Sequence, residues 1–222
     1  MGWFTKFIQS SIGKKVLMAT TGILLSFFLV MHLIGNLTLF GGAEMFNNYV
    51  IKLSSLIPVV RFSEVILTLI FLAHIINGFN LTRKNKLAKP IGYELNTNAT
   101  SSFFSRNMGL SGSIVLIFLI IHLATFWRTF QQSHGVDVDY YHIVTASSIG
   151  FGNPLITAIY IFAIILLGFH LQHGFQSAFR SLGLNNQKYI PIIEIIGIFF
   201  WFIIPIGFAS IPFYFGFISG GN

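Results

Sequence analysis

The sequence contains no cysteine and little charge. None of its 222 residues is Cys, and only 9% are Asp, Glu, Lys or Arg, against roughly 25% in an ordinary soluble domain. Without Cys the chain can form no disulfide, thiolate metal site or iron–sulfur cluster, and it has no Cys nucleophile. It also lacks a Gly-rich phosphate loop, a zinc-binding His–Glu motif and a serine nucleophile elbow. Catalysis of the soluble-enzyme type is therefore not expected in this chain.

Apolar residues dominate the composition. They make up 54% of the chain, with 26 Phe and 21 Gly, which is typical of a protein whose surface faces lipid. Five apolar segments reach or exceed the roughly 20 residues that a helix needs to cross the hydrocarbon core. They cover about 16–40, 62–81, 107–127, 154–179 and 189–217. We therefore predict an all-α membrane protein, in which five transmembrane helices form a single membrane domain over residues 1–222. Pro205 lies inside the fifth span and is expected to kink it.

The net charge of +7 is interpreted as a topology signal rather than as a nucleic-acid surface, because the 13 basic residues are diluted among many Phe and Ile residues. With a cytoplasmic N-terminus and an outer C-terminus, ten cations lie inside and three outside. The inner cations are Lys6, Lys14, Lys15, Arg83, Lys84, Lys86, Lys89, Arg106, Arg180 and Lys188, and the outer ones are Lys52, Arg61 and Arg128.

Ahead of the first span, apolar side chains share one helical face beside Lys6. This pattern predicts a short N-terminal helix lying on the inner membrane surface, with a frayed tail as the alternative. The apolar residues are Trp3, Phe4, Phe7, Ile8 and Ile12.

Four of the five spans carry a histidine. Ionisable residues inside a membrane are costly, so each is a functional candidate, although a single one could be a hydrogen-bonded packing residue. His32 and His122 each lie 16 residues, roughly 24 Å, from the inner boundary, while His74 and His170 lie roughly 14 to 15 Å from it. The histidines therefore form two level pairs, each drawn from two different helices. His134 and His142 lie in an outer loop and are expected to be solvated.

Two level pairs of imidazoles suit two haem groups, each with one imidazole on either face of its iron. Zinc needs three or four ligands at one point, and each level offers two. We predict axial ligation of haem iron by His74 and His170 at the inner level. At the outer level we predict ligation by His32 and His122.

A short internal repeat helps to choose between two histidines on the fourth span. Residues 74–80 resemble residues 170–176, with Gly78 and Gly174 one helical turn beyond each first histidine. A glycine on the ligand face would leave room for a porphyrin edge. The repeat favours His170 as the ligand over His173, which is close to the same helix face. The alternative places His173 beside the haem as a hydrogen-bonding residue.

On these residues the chain resembles the membrane-anchor cytochrome b of succinate dehydrogenase and fumarate reductase, in its single-chain, five-helix, di-haem form. The likeness covers most of the chain. It lies in His-Leu-Ile-Gly-Asn at 32–36, His-Ile-Ile-Asn-Gly at 74–78, Arg106 and Gly109 leading to His-Leu-Ala-Thr-Phe at 122–126, and His170 and Gly174 leading to Ser-Leu-Gly at 181–183.

The resemblance implies two b-type haems, with His74 and His170 holding the inner one and His32 and His122 the outer one. It also implies a flavoprotein subunit and an iron–sulfur subunit docked on the cytoplasmic face. Electrons would pass between these subunits and a quinone, usually menaquinone, in the respiratory chain and the tricarboxylic acid cycle. The location would be the bacterial cytoplasmic membrane.

The acidic and basic residues near the spans allow further expectations. Some family members carry a Glu two residues before the fourth ligand, where this chain has Gly168, so a proton path is not expected there. The family's quinone-site acid lies near the outer end of the first helices, where Glu44 and Glu64 occur, with surface and helix-end roles as alternatives. Glu194 is interpreted as an inner-interface residue. Candidate partners of the haem carboxylates, or topology residues alone, are Arg180, Arg106, Arg61 and Arg128.

Two other functions stay open at this point. The chain could be the cytochrome b anchor of another membrane dehydrogenase, such as formate dehydrogenase or hydrogenase. It could also be a cofactor-free transporter or channel that uses its histidines as proton carriers. The parallel repeat argues against a transporter, since those folds often contain inverted repeats.

Overall fold

The computed structural model describes residues 2–87, 108–133, 138–146, 148–184 and 186–219. Lys89, Arg106, Asn107, His134 and Asp137 lie outside the described residues, as does the side chain of Phe4. The helices are α1 Trp3–Gln9, α2 Ser11–Leu37, α3 Gly42–Ser55, α4 Ile57–Leu87, α5 Met108–Gln132, α6 Tyr140–Thr145, α7 Pro154–Ser181 and α8 Ile190–Ile218. The described ranges contain no strand, and the predicted all-α membrane fold is confirmed.

Five helical stretches are long and apolar enough to cross a membrane: Ser11–Ser55, which contains α2 and α3, and then α4, α5, α7 and α8. Many large apolar side chains on these helices point outward, including Phe27, Leu155 and Ile195, each more than half exposed. An apolar exterior of this extent would aggregate in water, but it matches the hydrocarbon core of a bilayer. The chain is therefore a multi-pass membrane protein.

The helix ends follow local chemistry. The Ser10 hydroxyl accepts a hydrogen bond from the Gly13 N–H (2.9 Å) at the start of α2, and the Asn153 side chain caps α7, whose first residue is Pro154. At the end of α7, Gly183 adopts a φ of 80°, which favours glycine. The N–H of Leu184 then donates to the carbonyl of Phe179 (3.0 Å). These caps set the start of α2 and both ends of α7.

The first two spans differ from their predicted bounds. In the first span, helix α2 begins at Ser11 rather than 16 and ends at Leu37 rather than near residue 40; a 3₁₀ turn over Thr38–Gly41 follows, and Gly42 (φ 83°) then starts α3. The second begins at Ile57 rather than 62 and continues to Leu87 rather than 81. The apolar run marks the part of a helix inside the lipid, and polar residues extend the same helix beyond it.

The first four spans form a ring of helices. Helix α2 packs against both α4 and α7, and α5 packs mainly against α7 and more lightly against α4. Helix α2 is therefore diagonal to α5, and α4 is diagonal to α7. Helix α8 lies outside this ring, against α7 and α2.

Helix α8 is irregular near Pro205. A π-helical turn covers Phe199–Ile203 just before the proline. Proline has no N–H, so the carbonyl of Trp201 loses its normal partner four residues later. A Cβ atom at Gly168 would stand 3.1 Å from that carbonyl oxygen. Gly168 thus permits the close approach of α7 and α8, and a larger side chain there would push the helices apart.

Helix α1 carries an exposed apolar surface. The rings of Trp3 and Phe7 stack with their centroids 5.9 Å apart, and Trp3 is 79% exposed. The segment is therefore a helix rather than a frayed tail, and its exposed aromatic face suits the interface of a membrane.

A short helix closes the end of the bundle that is predicted to face outward. The carboxylate of Asp139 caps α6 by accepting from the N–H of His142 (3.0 Å), and it also accepts from the Asn47 side chain of α3 (3.0 Å). The Asn47 oxygen in turn accepts from the N–H of Tyr141 (2.8 Å). The hydrogen bond from Asn47, followed by that from the His142 backbone, holds the pKa of Asp139 below its usual value.

Candidate functional site

The outer histidines meet inside the helix ring. His32 comes from α2 and His122 from the diagonal helix α5, and their ring centroids are 5.7 Å apart with the planes at 84°. Aromatic side chains surround the pair and exclude water from it. They are Phe28 and Phe208 beside His32, and Phe118, Phe126 and Tyr160 beside His122.

The inner histidines meet across the other diagonal. His74 of α4 and His170 of α7 have ring centroids 6.3 Å apart, with the planes at 71°. The ring that faces His74 is that of His170, while His173 lies three residues further along α7. The structure therefore brings the four histidines together in the two pairs named from the sequence.

Glycine contacts give the distance between the two levels. A Cβ at Gly22 would lie 3.4 Å from Cε1 of His74, and a Cβ at Gly112 would lie 3.4 Å from Cε1 of His170. Gly22 precedes His32 by ten residues, as Gly112 precedes His122, which corresponds to about 15 Å along each helix. The two pairs are thus stacked along the bundle axis, about 15 Å apart.

A hydrogen bond orients the ring of His74. Its Nδ1 lies 3.0 Å from Oγ1 of Thr21, a buried residue of α2. The Thr21 hydroxyl already donates to the carbonyl of Leu17 (2.7 Å), so it accepts from the Nδ1–H of His74. The proton is then on Nδ1, which leaves the lone pair of Nε2 available to a metal.

The other three imidazoles have different surroundings at Nδ1. Nδ1 of His122 lies 3.3 Å from the hydroxyl of the buried Tyr160. Nδ1 of His32 lies 3.5 Å from the side-chain nitrogen of Asn36, which donates to the His32 carbonyl (2.8 Å). Nδ1 of His170 is buried and has no hydrogen-bond partner among the described residues.

The two helix pairs repeat the same contacts. Helices α2 and α5 each carry Met-x-x-Thr/Ser-Gly with a histidine ten residues later, in the segments beginning at Met18 and Met108. The methyl group of Met18 lies 3.2 Å from a Cβ position at Gly78, and that of Met108 lies 3.4 Å from one at Gly174. The space predicted beside these two glycines is therefore occupied by the ends of flexible methionine side chains.

The repeat also assigns a counterpart to His173. The residue at the same position after His74 is Asn77, which is buried and donates from its side-chain nitrogen to the carbonyl of Lys14 (2.6 Å). That hydrogen bond joins α4 to α2. By this correspondence His173 occupies a helix-packing position, and His170 occupies the position of the paired histidine.

The residues of each pair fit axial ligation of a haem iron. Two imidazoles bound on opposite sides of one metal, each nitrogen about 2 Å from it, bring their ring centroids roughly 6 Å apart. The observed separations are 5.7 and 6.3 Å. Within the described ranges no three His, Cys or carboxylate side chains converge as a metal site would require, so each level offers two donors rather than a zinc-type set.

A polar cluster ties α4 to α5 at the predicted outer end. The Glu64 carboxylate accepts hydrogen bonds from Arg61 (2.7 Å), the indole N–H of Trp127 (3.1 Å) and the side-chain nitrogen of Gln131 (3.2 Å). Arg61 also donates to Gln131. Its guanidinium is thus engaged within this cluster, although the sequence had suggested a haem carboxylate as its partner.

The remaining charged candidates lie at the surface. Glu44 and Glu194 are exposed, whereas Glu64 is half-buried. Arg128 is exposed, and Arg180 is exposed and lines a groove with Lys15. These positions do not distinguish haem partners from topology residues.

Several residues of the site were not found from the sequence. They are Thr21, Tyr160, Asn36, Gly22 and Gly112, which contact the four imidazoles. The Met-x-x-Thr/Ser-Gly pattern shared by α2 and α5 could have indicated Gly22, Gly112 and Thr21. Tyr160 has no such signal, because its contact with His122 depends on how α5 and α7 face each other.

Comparison with protein families, curated proteins and solved structures finds no match to this chain.

Proposed function

We propose that this chain is the di-haem cytochrome b subunit of a succinate:quinone oxidoreductase. In this role it anchors a flavoprotein subunit and an iron–sulfur subunit to the cytoplasmic face of a bacterial membrane. It passes electrons between them and a quinone, with menaquinone as the expected one. The observation that carries the haem part of the proposal is the meeting of His32 with His122 and of His74 with His170, at two levels of one membrane bundle. The choice of enzyme complex rests on the sequence resemblance.

The bound haems would supply one-electron oxidation and reduction at their irons. The residues of this chain orient the ligands and shield them. Thr21 accepts a hydrogen bond from the Nδ1–H of His74, which makes Nε2 of that ring a better ligand for a metal. The aromatic side chains around His32 and His122 provide a dry, low-dielectric shell, which strengthens the influence of nearby charges and hydrogen bonds on the site.

Glu64 is the acid that we assign to the quinone site. Of the three glutamates considered from the sequence it is the half-buried one, and its carboxylate is held by Arg61, Trp127 and Gln131. It lies on the side of the bundle nearer the outer histidine pair, since its partner Trp127 follows His122 by five residues, about 7.5 Å along α5. A carboxylate in this position can accept a proton when a quinol is oxidised and return it when a quinone is reduced.

The test is to purify the protein from membranes with its associated subunits, record reduced-minus-oxidised absorption spectra and quantify haem per chain. Two b-type haems with a copurifying covalent flavoprotein are expected. Two haems with a molybdenum or nickel–iron subunit would replace the assigned complex with that of another dehydrogenase. Colourless, stable protein would refute the haem proposal and favour the transporter.

A further inference from the structure

His170 is the one paired histidine whose Nδ1 is buried without a hydrogen-bond partner in the described part of the chain. Its counterpart His74 donates from Nδ1 to Thr21. A buried N–H that lacks an acceptor is costly, and native structures seldom leave one unpaired. The inner pair is therefore asymmetric in its hydrogen bonding, although the helices around it repeat the same contacts.

The residue that corresponds to Thr21 is Ser111. Each precedes a glycine that touches the paired imidazole: a Cβ at Gly22 would lie 3.9 Å from Nδ1 of His74, and one at Gly112 would lie 3.7 Å from Nδ1 of His170. Ser111 is therefore on the turn of α5 that faces His170. Both hydroxyls also bond back to their own helix, that of Ser111 to the carbonyl of Met108 (3.1 Å) and that of Thr21 to the carbonyl of Leu17.

The hydroxyls of Thr21 and Ser111 differ in how freely they can rotate about χ1. Thr is branched at Cβ and has few χ1 rotamers in a helix, whereas Ser can turn its hydroxyl more easily. A hydroxyl that donates to a backbone carbonyl keeps its lone pairs and can still accept another hydrogen bond, as Thr21 does. Rotation of the Ser111 side chain toward His170 would offer an acceptor to the Nδ1–H of that ring.

We propose that Ser111 is a positioning residue for His170, accepting a hydrogen bond from the Nδ1–H of that imidazole when Nε2 binds the inner haem iron. This inference rests on the proposed haem function. An acceptor at Nδ1 raises the basicity of Nε2 and favours the oxidised iron. The hydroxyls of Thr21 and Ser111 would then each orient one of the two histidines that hold the same haem.

The test is a redox titration of both haems in the full-length protein with its associated subunits, for wild type and for S111A, S111T, T21V and S113A. Ser113 is the matched control, since its exposed hydroxyl donates to the carbonyl of Gly109 (2.8 Å) and lies on another face of α5. We expect S111A and T21V to raise the reduction potential of the same haem and to leave the other unchanged. S113A should match the wild type, and so should S111T, because its hydroxyl would take the place that the Thr21 hydroxyl has beside His74 while still bonding to its own helix.

The outcomes separate this inference from the proposed function. T21V could shift the reduction potential of one haem while S111A shifts neither, or S111A could shift both potentials equally. In either case Ser111 is not the partner of His170, while the haem assignment stands. A lowered potential in S111A, or a wild-type potential lost in S111T, would equally contradict the role of the hydroxyl. A protein without haem refutes the proposed function instead.

Discussion

Removal of single imidazoles gives the sharpest prediction for the paired histidines. The ring centroids of His74 and His170 are 6.3 Å apart and those of His32 and His122 are 5.7 Å apart, so each histidine has one partner only. The two levels are about 15 Å apart along the helices. If the proposed function holds, each haem therefore depends on the two residues of one pair and on none of the other. His74→Ala and His32→Ala are each expected to lower the content from two haems per chain to one.

Double variants distinguish pairing from simple damage. Substitutions that act on the same site are not additive, whereas those at separate sites are. His74→Ala combined with His170→Ala should keep one haem, the same as either single variant. His74→Ala combined with His122→Ala should keep none, because it removes one ligand from each pair. His173→Ala should keep both haems, as should His142→Ala in the outer helix α6.

The assay is haem extracted per mole of purified chain, together with the reduced-minus-oxidised spectrum. Far-ultraviolet circular dichroism reports whether each variant remains helical. The argument is wrong if the His74 and His122 double variant retains one haem, because those two rings would then share a site. It is also wrong if His173→Ala loses a haem and His170→Ala does not, since the correspondence of His170 with His74 would be false.

Three further predictions concern the surroundings of the histidine pairs. Tyr160→Phe should raise the reduction potential of the outer haem alone in a redox titration, because Nδ1 of His122 loses the Tyr160 hydroxyl as its hydrogen-bond partner. A shift confined to the inner haem would contradict this. Glu64→Gln should abolish electron transfer to quinone while dithionite still reduces both haems, whereas Glu44→Gln should retain transfer; equal activities would exclude the assigned acid. Because the hydrogen bond from Asn47 lowers the pKa of Asp139, docking of α6 should be complete above the ordinary Asp pKa of about 3.9 and weaken as pH falls through the lowered value. Protease cleavage near α6 should then rise in acid and, in Asn47→Ala, should already be raised at neutral pH.

The glycines near the inner histidine pair show why the sequence and the structure give different kinds of information. The sequence draws attention to Gly78 and Gly174 because they follow the histidines at a fixed spacing. In the structure, the glycines against the inner imidazoles are Gly22 and Gly112, which belong to the neighbouring helices. A repeat within one helix can be read from its spacing, but a contact between helices depends on their rotation about their own axes.

The sequence alone determined the fold class, the number of spans and the division of the four histidines into two levels, although counting from the inner boundary put those levels roughly 10 Å apart rather than about 15 Å. These follow from local properties, since apolar length and a rise of about 1.5 Å per residue need no knowledge of neighbouring helices. The tertiary structure decided that His74 faces His170 rather than His173, that Thr21 and Tyr160 reach two of the Nδ1 atoms, and that Glu64 of α4 binds Trp127 of α5. Those contacts depend on which helices lie side by side and how each is turned, and long-range packing between side chains sets both.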